Sequence, residues 1–118
     1  ITEVREKAGN DALGANPDTG NFVLALQNSV EAVTQLATLA NMVHFKDFAP
    51  AEEGYAAQDG KKWAGTALGE GSVDLKGCHA VLKDAGFQGW LNIEYEAPED
   101  PMTGVPRSVA YTRALLGR

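Results

Sequence analysis

The run Asn41-Met42-Val43-His44-Phe45-Lys46-Asp47 decides the fold, because its alternation sets apolar and ionisable side chains on opposite faces. In extended backbone successive side chains point to opposite sides, so Val43 and Phe45 share one face while His44 and Lys46 share the other. The segment from Gly89 to Glu96 repeats the pattern, with Leu91, Ile93 and Tyr95 in one row and Asn92, Glu94 and Glu96 in the other. Ala12 to Asp18 ends in the same way, Asn16 and Asp18 sharing a face. Each run is short, rich in apolar residues and followed by turn-forming or polar residues, which reads as a buried parallel strand. A weaker fourth strand is expected at Thr66 to Leu68, ahead of Gly69-Glu70-Gly71.

Helical patterns separate these runs. Asn28 with Glu31 three residues on has the signature of a capping box, and Val30, Val33, Leu36 and Leu39 then fall close to one helical face. Asp74 can cap a helix whose apolar face is Leu75, Cys78, Val81 and Leu82, ending near Gly86. A last helix is expected with Pro106 in its first turn and Gly117 as its stop. Ile1 to Asn10 reads as the tail of a preceding helix. The connection from Phe48 to Gly65 reads as an active-site loop.

Four strand–helix units in sequence imply a parallel sheet with right-handed crossovers, and four units are half of an eight-stranded barrel. On order alone an open, flavodoxin-like sheet fits equally well. A sheet covered by helices on both faces would carry apolar residues on both. Here one row is polar near the strand ends, which suits the mouth of a barrel. The expectation is therefore an α/β chain of TIM-barrel type, with residues 1–118 forming a single half-barrel.

Composition excludes some classes. With 118 residues and 44% hydrophobic content the chain can bury one core, and no apolar run reaches the ~20 residues of a membrane span. A net charge of −6 and the lack of a basic stripe disfavour nucleic-acid binding. The lone Cys78 excludes an internal disulfide and a multi-cysteine zinc site, and cytoplasm is the expected compartment. Because the sequence opens on Ile1, it is read as a piece of something longer.

Asp18, His44 and Glu94 end three different strands, 26 and 50 residues apart, and such a set can converge on a divalent ion. Mixed oxygen and nitrogen donors without thiolate suit Mn²⁺, Mg²⁺ or Co²⁺ and permit Zn²⁺. Each residue also has a plainer reading: Asp18 can cap its Thr-Gly turn, and His44 can be a hydrogen-bonded core histidine. Glu94, between Ile93 and Tyr95, needs a partner in either case. Lys46 contacts a substrate or forms a salt bridge inside the barrel; Glu70 binds substrate or holds its loop. Glu96 is read as structural, His79 as a surface residue, Trp63 as a lid or packing residue and Cys78 as core.

Four ordered runs carry a resemblance to a known family: Asp18-Thr19-Gly20-Asn21-Phe22, Val43-His44-Phe45-Lys46-Asp47, Leu68-Gly69-Glu70-Gly71-Ser72-Val73-Asp74 and Ile93-Glu94-Tyr95-Glu96. Together they resemble the xylose-isomerase-like TIM-barrel superfamily, and in particular its sugar phosphate isomerase/epimerase branch. The resemblance implies strands five to eight of the barrel. It makes Asp18, His44 and Glu94 the metal ligands of strands five, six and eight, and Glu94 also an acid/base. Asn21 stands where many members have a substrate-contacting His. The fourth-strand Glu that such enzymes use as a further ligand and second acid/base has no counterpart here, and Glu3, Glu6 and Asp11 are poorly placed to replace it.

The function implied is metal-dependent isomerisation or epimerisation of a sugar or sugar phosphate by proton transfer beside a carbonyl, with cyclic-polyol dehydratases as close relatives. The alternative is a non-catalytic half-barrel that binds metal without turnover. An isolated half-barrel exposes two sheet edges. The chain is therefore expected to be a fragment, to meet a separate N-terminal half, or to pair with itself as a homo-oligomer. The superfamily's abasic-site DNA endonucleases are disfavoured by the acidic balance and by a single His among the strand-end motifs.

Overall fold

The computed structural model describes residues 2–10 and 12–118. Asp11 and Ile1 lie outside the described residues. Two β-strands, Met42–Phe45 (β1) and Trp90–Ile93 (β4), pair in parallel with Val43 opposite Leu91 and His44 opposite Asn92. On the other side of β1 the segment before Asp18 adds a third line of backbone through two isolated parallel bridges, Ala15 to Ala40 and Asp18 to His44. It was expected as a strand from Ala12. Pro17 has no N–H to give and the segment has one neighbour only, so the ladder reduces to those bridges.

The alternation of the sequence holds. Val43 and Phe45 are fully buried against Val33 and Ala37 of one helical layer and Leu75, Cys78 and Leu82 of another, and Leu91 and Ile93 pack on the same core. The helices supplying those residues are Ser29–Leu36 (α3), continued by the 3-10 turn Ala37–Leu39, and Leu75–Asp84 (α4), preceded by Thr2–Ala8 (α1) and the single turn Asn21–Leu24 (α2). Their caps are those the sequence announces. Asn28 accepts the Glu31 N–H at 3.1 Å, and Asp74 accepts the Gly77 N–H at 2.8 Å.

Other expectations change as well. The stretch expected as a loop is a β-hairpin, Asp47–Ala56 (β2) with Lys62–Thr66 (β3), antiparallel and interrupted by a bulge between Pro50 and Tyr55. It takes in the start of the fourth expected strand, Thr66 to Leu68, which joins no parallel ladder. The described residues therefore form a small α/β domain with parallel strands at its centre, and they neither close a barrel nor make four regular units.

The last helix, Pro101–Leu115 (α5), starts five residues earlier than Pro106 suggested. Asp100 caps it by accepting the Met102 N–H at 2.9 Å, and Pro101, not Pro106, is the proline of the first turn. Pro106 sits inside the helix on an exposed position.

Candidate metal centre

The polar row of the sheet gathers at the C-terminal ends of the parallel segments. Asp18, His44 and Glu94 each present one ligand atom, and these atoms lie within 4.8 Å of one another. Three adjacent lines of backbone carry them, which is why residues distant in sequence meet. The Asp18 side chain is 16% exposed, that of His44 28% and that of Glu94 31%, so the group opens to solvent on one side.

Each side chain is held. Asp18 Oδ1 accepts the N–H groups of Gly20 and Asn21, both at 3.0 Å, and Oδ2 accepts the Asn21 amide at 3.0 Å. His44 Nδ1 lies 3.1 Å from Glu94 Oε2, and Nε2 lies 3.4 Å from the Asn16 amide nitrogen. In a neutral ring that arrangement makes Nδ1–H the donor to Glu94 and leaves the Nε2 lone pair toward the Asn16 amide. Both plainer readings of the sequence are thus also present: Asp18 does cap the Thr19-Gly20 turn, and His44 is hydrogen-bonded.

Lys46 closes the group. Its ammonium is 3.0 Å from Glu94 Oε2, 3.0 Å from Glu96 Oε2 and 3.3 Å from Asp18 Oδ2, with the Asn21 side-chain oxygen at 3.5 Å. The lysine is only 3% exposed. Its stem runs over Gly20, where a Cβ would stand 2.6 Å from Lys46 Cγ, and its ammonium lies 5.9 Å from the centre of the Phe48 ring. The salt bridge that the sequence offered for Lys46 is formed.

The charges shift one another. Burial pushes the Asp18 carboxyl above its ordinary range, and the facing Glu94 carboxyl adds to this against the Asn21 N–H and the Lys46 charge. Burial also works upward on Glu94, but its hydrogen bonds to Asp18 and Lys46 prevail and hold it below the usual range. Burial disfavours the Lys46 ammonium, yet hydrogen bonds to Glu94 and Glu96 and the nearby Asp18 charge raise its pKa well above that of a free lysine.

Glu70 lies elsewhere in the hydrogen-bond network. Arg107 takes it in a two-pronged contact, Nε to Oε1 at 2.7 Å and Nη2 to Oε2 at 3.1 Å, and binds Glu99 through Nη1 at 3.0 Å and Nη2 at 2.6 Å. Glu70 therefore holds its loop to α5. Sequence reasoning missed Arg107 and Glu99, for which no spacing rule pointed to Glu70. It also missed the task of Asp47, which is 1% exposed and accepts N–H groups from Gly69, Gly71 and Val73 at 2.9–3.0 Å. A Cβ on Gly71 would collide with that carboxylate, and one on Gly69, at φ +86°, would meet the Tyr111 ring, so Gly71 is the glycine that lets backbone approach Asp47. A cavity of about 570 Å³ opens between the β2–β3 hairpin and the segment Glu96-Ala97-Pro98, with Glu96 on its wall.

This geometry accords with what comparison finds. A family model described as xylose isomerase-like TIM barrel matches residues 1–115. The chain belongs to that family, and it covers part of the barrel. Inosose dehydratases from two strains of Clostridium botulinum are 30% identical over 100 residues, which is 79% of this chain and 33% of theirs. The crystal structure of a xylose isomerase domain protein from Planctomyces limnophilus superposes with a TM-score of 0.75 at 30% identity, over 98% of this chain and 41% of that one. An IOLI protein solved with a bound zinc atom superposes with a TM-score of 0.68 at 20% identity, which speaks for the fold alone. The chain thus spans about a third of the length of the curated relatives it matches. No described helix is long and apolar enough to cross a membrane.

Proposed function

We propose that the chain is the C-terminal half of a metal-dependent barrel enzyme that moves a proton beside the carbonyl of a sugar or sugar-like polyol. The observation that carries this reading is the convergence of Asp18, His44 and Glu94 at one end of the parallel segments, with ligand atoms within 4.8 Å. The donor set fits a divalent ion: two carboxylates and an imidazole, partly exposed, with an excess of negative charge beside them. Mn²⁺, Mg²⁺ or Co²⁺ match such hard, mixed donors, and Zn²⁺ is compatible.

When bound, the ion would polarise the carbonyl and hydroxyl oxygens of the substrate and so ease loss of a proton from the neighbouring carbon. Glu94 is the residue placed to move that proton. The Lys46 ammonium at 3.0 Å and His44 Nδ1 at 3.1 Å from its Oε2 hold it in place. Asn21 stays close to Asp18 and can offer a hydrogen bond to a substrate hydroxyl. In an isomerase or epimerase the abstracted proton returns to the substrate. In a dehydratase it is given instead to a hydroxyl on the next carbon, which leaves as water as the carbon–carbon double bond forms. The 30% identity to inosose dehydratases favours this second outcome as the specific alternative. The second reading is a half-barrel that binds metal without turnover, because the described residues supply three candidate ligands and one acid/base.

Calorimetric titration of Mn²⁺ into the chain tests the centre, with His44→Ala and Glu94→Ala alongside and the mass in solution measured on the same samples. Saturable binding that both substitutions abolish is the expected result. Unchanged binding by both variants would remove these residues from the site. A mass of twice the chain would mean that two copies complete one another, and a monomer would leave the other half of the barrel to a separate segment.

A further inference from the structure

We propose that Lys46 is a tethered cation that competes with the metal for the same carboxylates, holding Asp18 and Glu94 together without an ion and withdrawing toward Glu96 when an ion binds. The inference rests on the metal centre proposed above and deepens it. Its basis is positional. The ammonium lies 3.3 Å from Asp18 Oδ2 and 3.0 Å from Glu94 Oε2, two of the three side chains that would ligate the ion. No third residue separates them. An ion coordinated by those carboxylates at about 2.2 Å would have the ammonium within roughly 5.5 Å, with little water between to screen the repulsion.

Charge arithmetic gives the same picture. The carboxylates of Asp18, Glu94 and Glu96 carry three formal negative charges and Lys46 one positive, so two negative charges remain among these four side chains. A divalent ion balances that remainder, but only if the lysine stays. Glu96 offers the place to stay: its Oε2 is 3.0 Å from Nζ, it is absent from the converging ligand set, and it lies on the wall of the adjoining cavity. The stem cannot swing away. The residue is 3% exposed, and its stem lies so close over Gly20 that a Cβ there would stand 2.6 Å from Lys46 Cγ and 2.9 Å from Cδ, so it is packed in place. Only the end of the side chain is free to change partners among the surrounding oxygens. Lys46 thus lowers the affinity for the ion while preventing three carboxylates from repelling one another in its absence.

The test is Mn²⁺ binding and thermal unfolding of the chain beside Lys46→Met. Removing the competitor should tighten Mn²⁺ binding about tenfold or more, given the reach of unscreened charge at this distance. The same variant should melt below the unaltered chain without Mn²⁺ and gain more from its addition, because the ion then supplies the missing positive charge. Where Lys46→Met does not fold unaided, Lys46→Gln gives the same readout with an amide that still hydrogen-bonds the carboxylates. Binding that is equal or weaker in both variants, while the unaltered chain binds Mn²⁺, would overturn the competition and leave the metal centre standing. No binding by any of the three would overturn both.

Discussion

Replacing Asp47 with Asn should unfasten the Gly69–Val73 loop from the sheet without touching the ionisable cluster. The carboxylate is buried, and its two oxygens divide their work: Oδ2 accepts from Gly69 and Gly71, Oδ1 from Val73. An asparagine can keep its carbonyl toward the two glycines, but its amide then points N–H at the N–H of Val73. One charge-assisted bond is lost outright, at about 1.5–3 kcal/mol, and the other two fall to neutral strength, at roughly 0.5–1 kcal/mol each. The neutral side chain is less costly to bury, which offsets part of this. The net loss is about 2–3 kcal/mol. Against the 5–15 kcal/mol typical of a folded domain, that is a large fraction.

Urea denaturation at neutral pH measures it. With a slope of about 1–2 kcal/mol per molar, the midpoint should fall by roughly 1–3 M with the slope unchanged. Amide exchange should lose protection at Gly69, Gly71 and Val73 first. A midpoint shift worth under about 0.5 kcal/mol, or exchange at those amides equal to that of the unaltered chain, would refute the reasoning.

Further outcomes follow from the same contacts. Gly20→Ala places a Cβ against the Lys46 stem and the Phe48 ring and should cost about 1–3 kcal/mol by overpacking, read from the same urea curves; a neutral effect would show that Lys46 is free to move aside. Arg107→Ala should barely move the melting temperature but speed proteolytic cleavage within residues 69–72, and equal cleavage would mean that the arginine does not restrain the loop. Hydrogen bonds from Arg107 hold Glu70 and Glu99 below the usual carboxylate range, so the clasp should persist at and above that range and be lost only as pH falls through the lowered values. Loop exchange rates that rise already at pH 6 would contradict this. Burial, with help from the Asp74 charge, pushes the Cys78 thiol up to about 12, so at pH 8 its thiolate fraction is about a thousandfold below that of a thiol at 9.0. A disulfide reagent should therefore modify Cys78 only on the timescale of unfolding. The sign is that of an acid raised by folding: stability linked to Cys78 is complete below pH 9 and declines as pH rises toward 12.

What the sequence makes legible here has a common cause, which is periodicity. Val43 and Phe45 against His44 and Lys46 follow from a two-residue repeat, and that repeat alone places Asp18, His44 and Glu94 on one side of the sheet. Asn28 and Asp74 are legible as caps because a cap needs one side chain three residues from one N–H. The misread elements all lack such a repeat. The hairpin carries Pro50, Glu52, Glu53 and Gly54 where alternation should be clearest, and a bulge absorbs them. At α5 two prolines compete for the first turn, and Asp100 settles the choice because only Pro101 follows a residue able to cap.

The candidate site divides along the same line. Which residues share a face is a one-dimensional property, but which of them touch is not. Lys46 and Glu96 each follow from parity onto the polar row. That Lys46 is enclosed by three carboxylates depends on Gly20 leaving room for its stem, on the Asp18 turn bringing Asn21 alongside, and on β4 lying directly beside β1. A sequence can therefore nominate three carboxylate and imidazole side chains for a cation, and a lysine for a salt bridge, while concealing that the lysine is held against two of those same side chains.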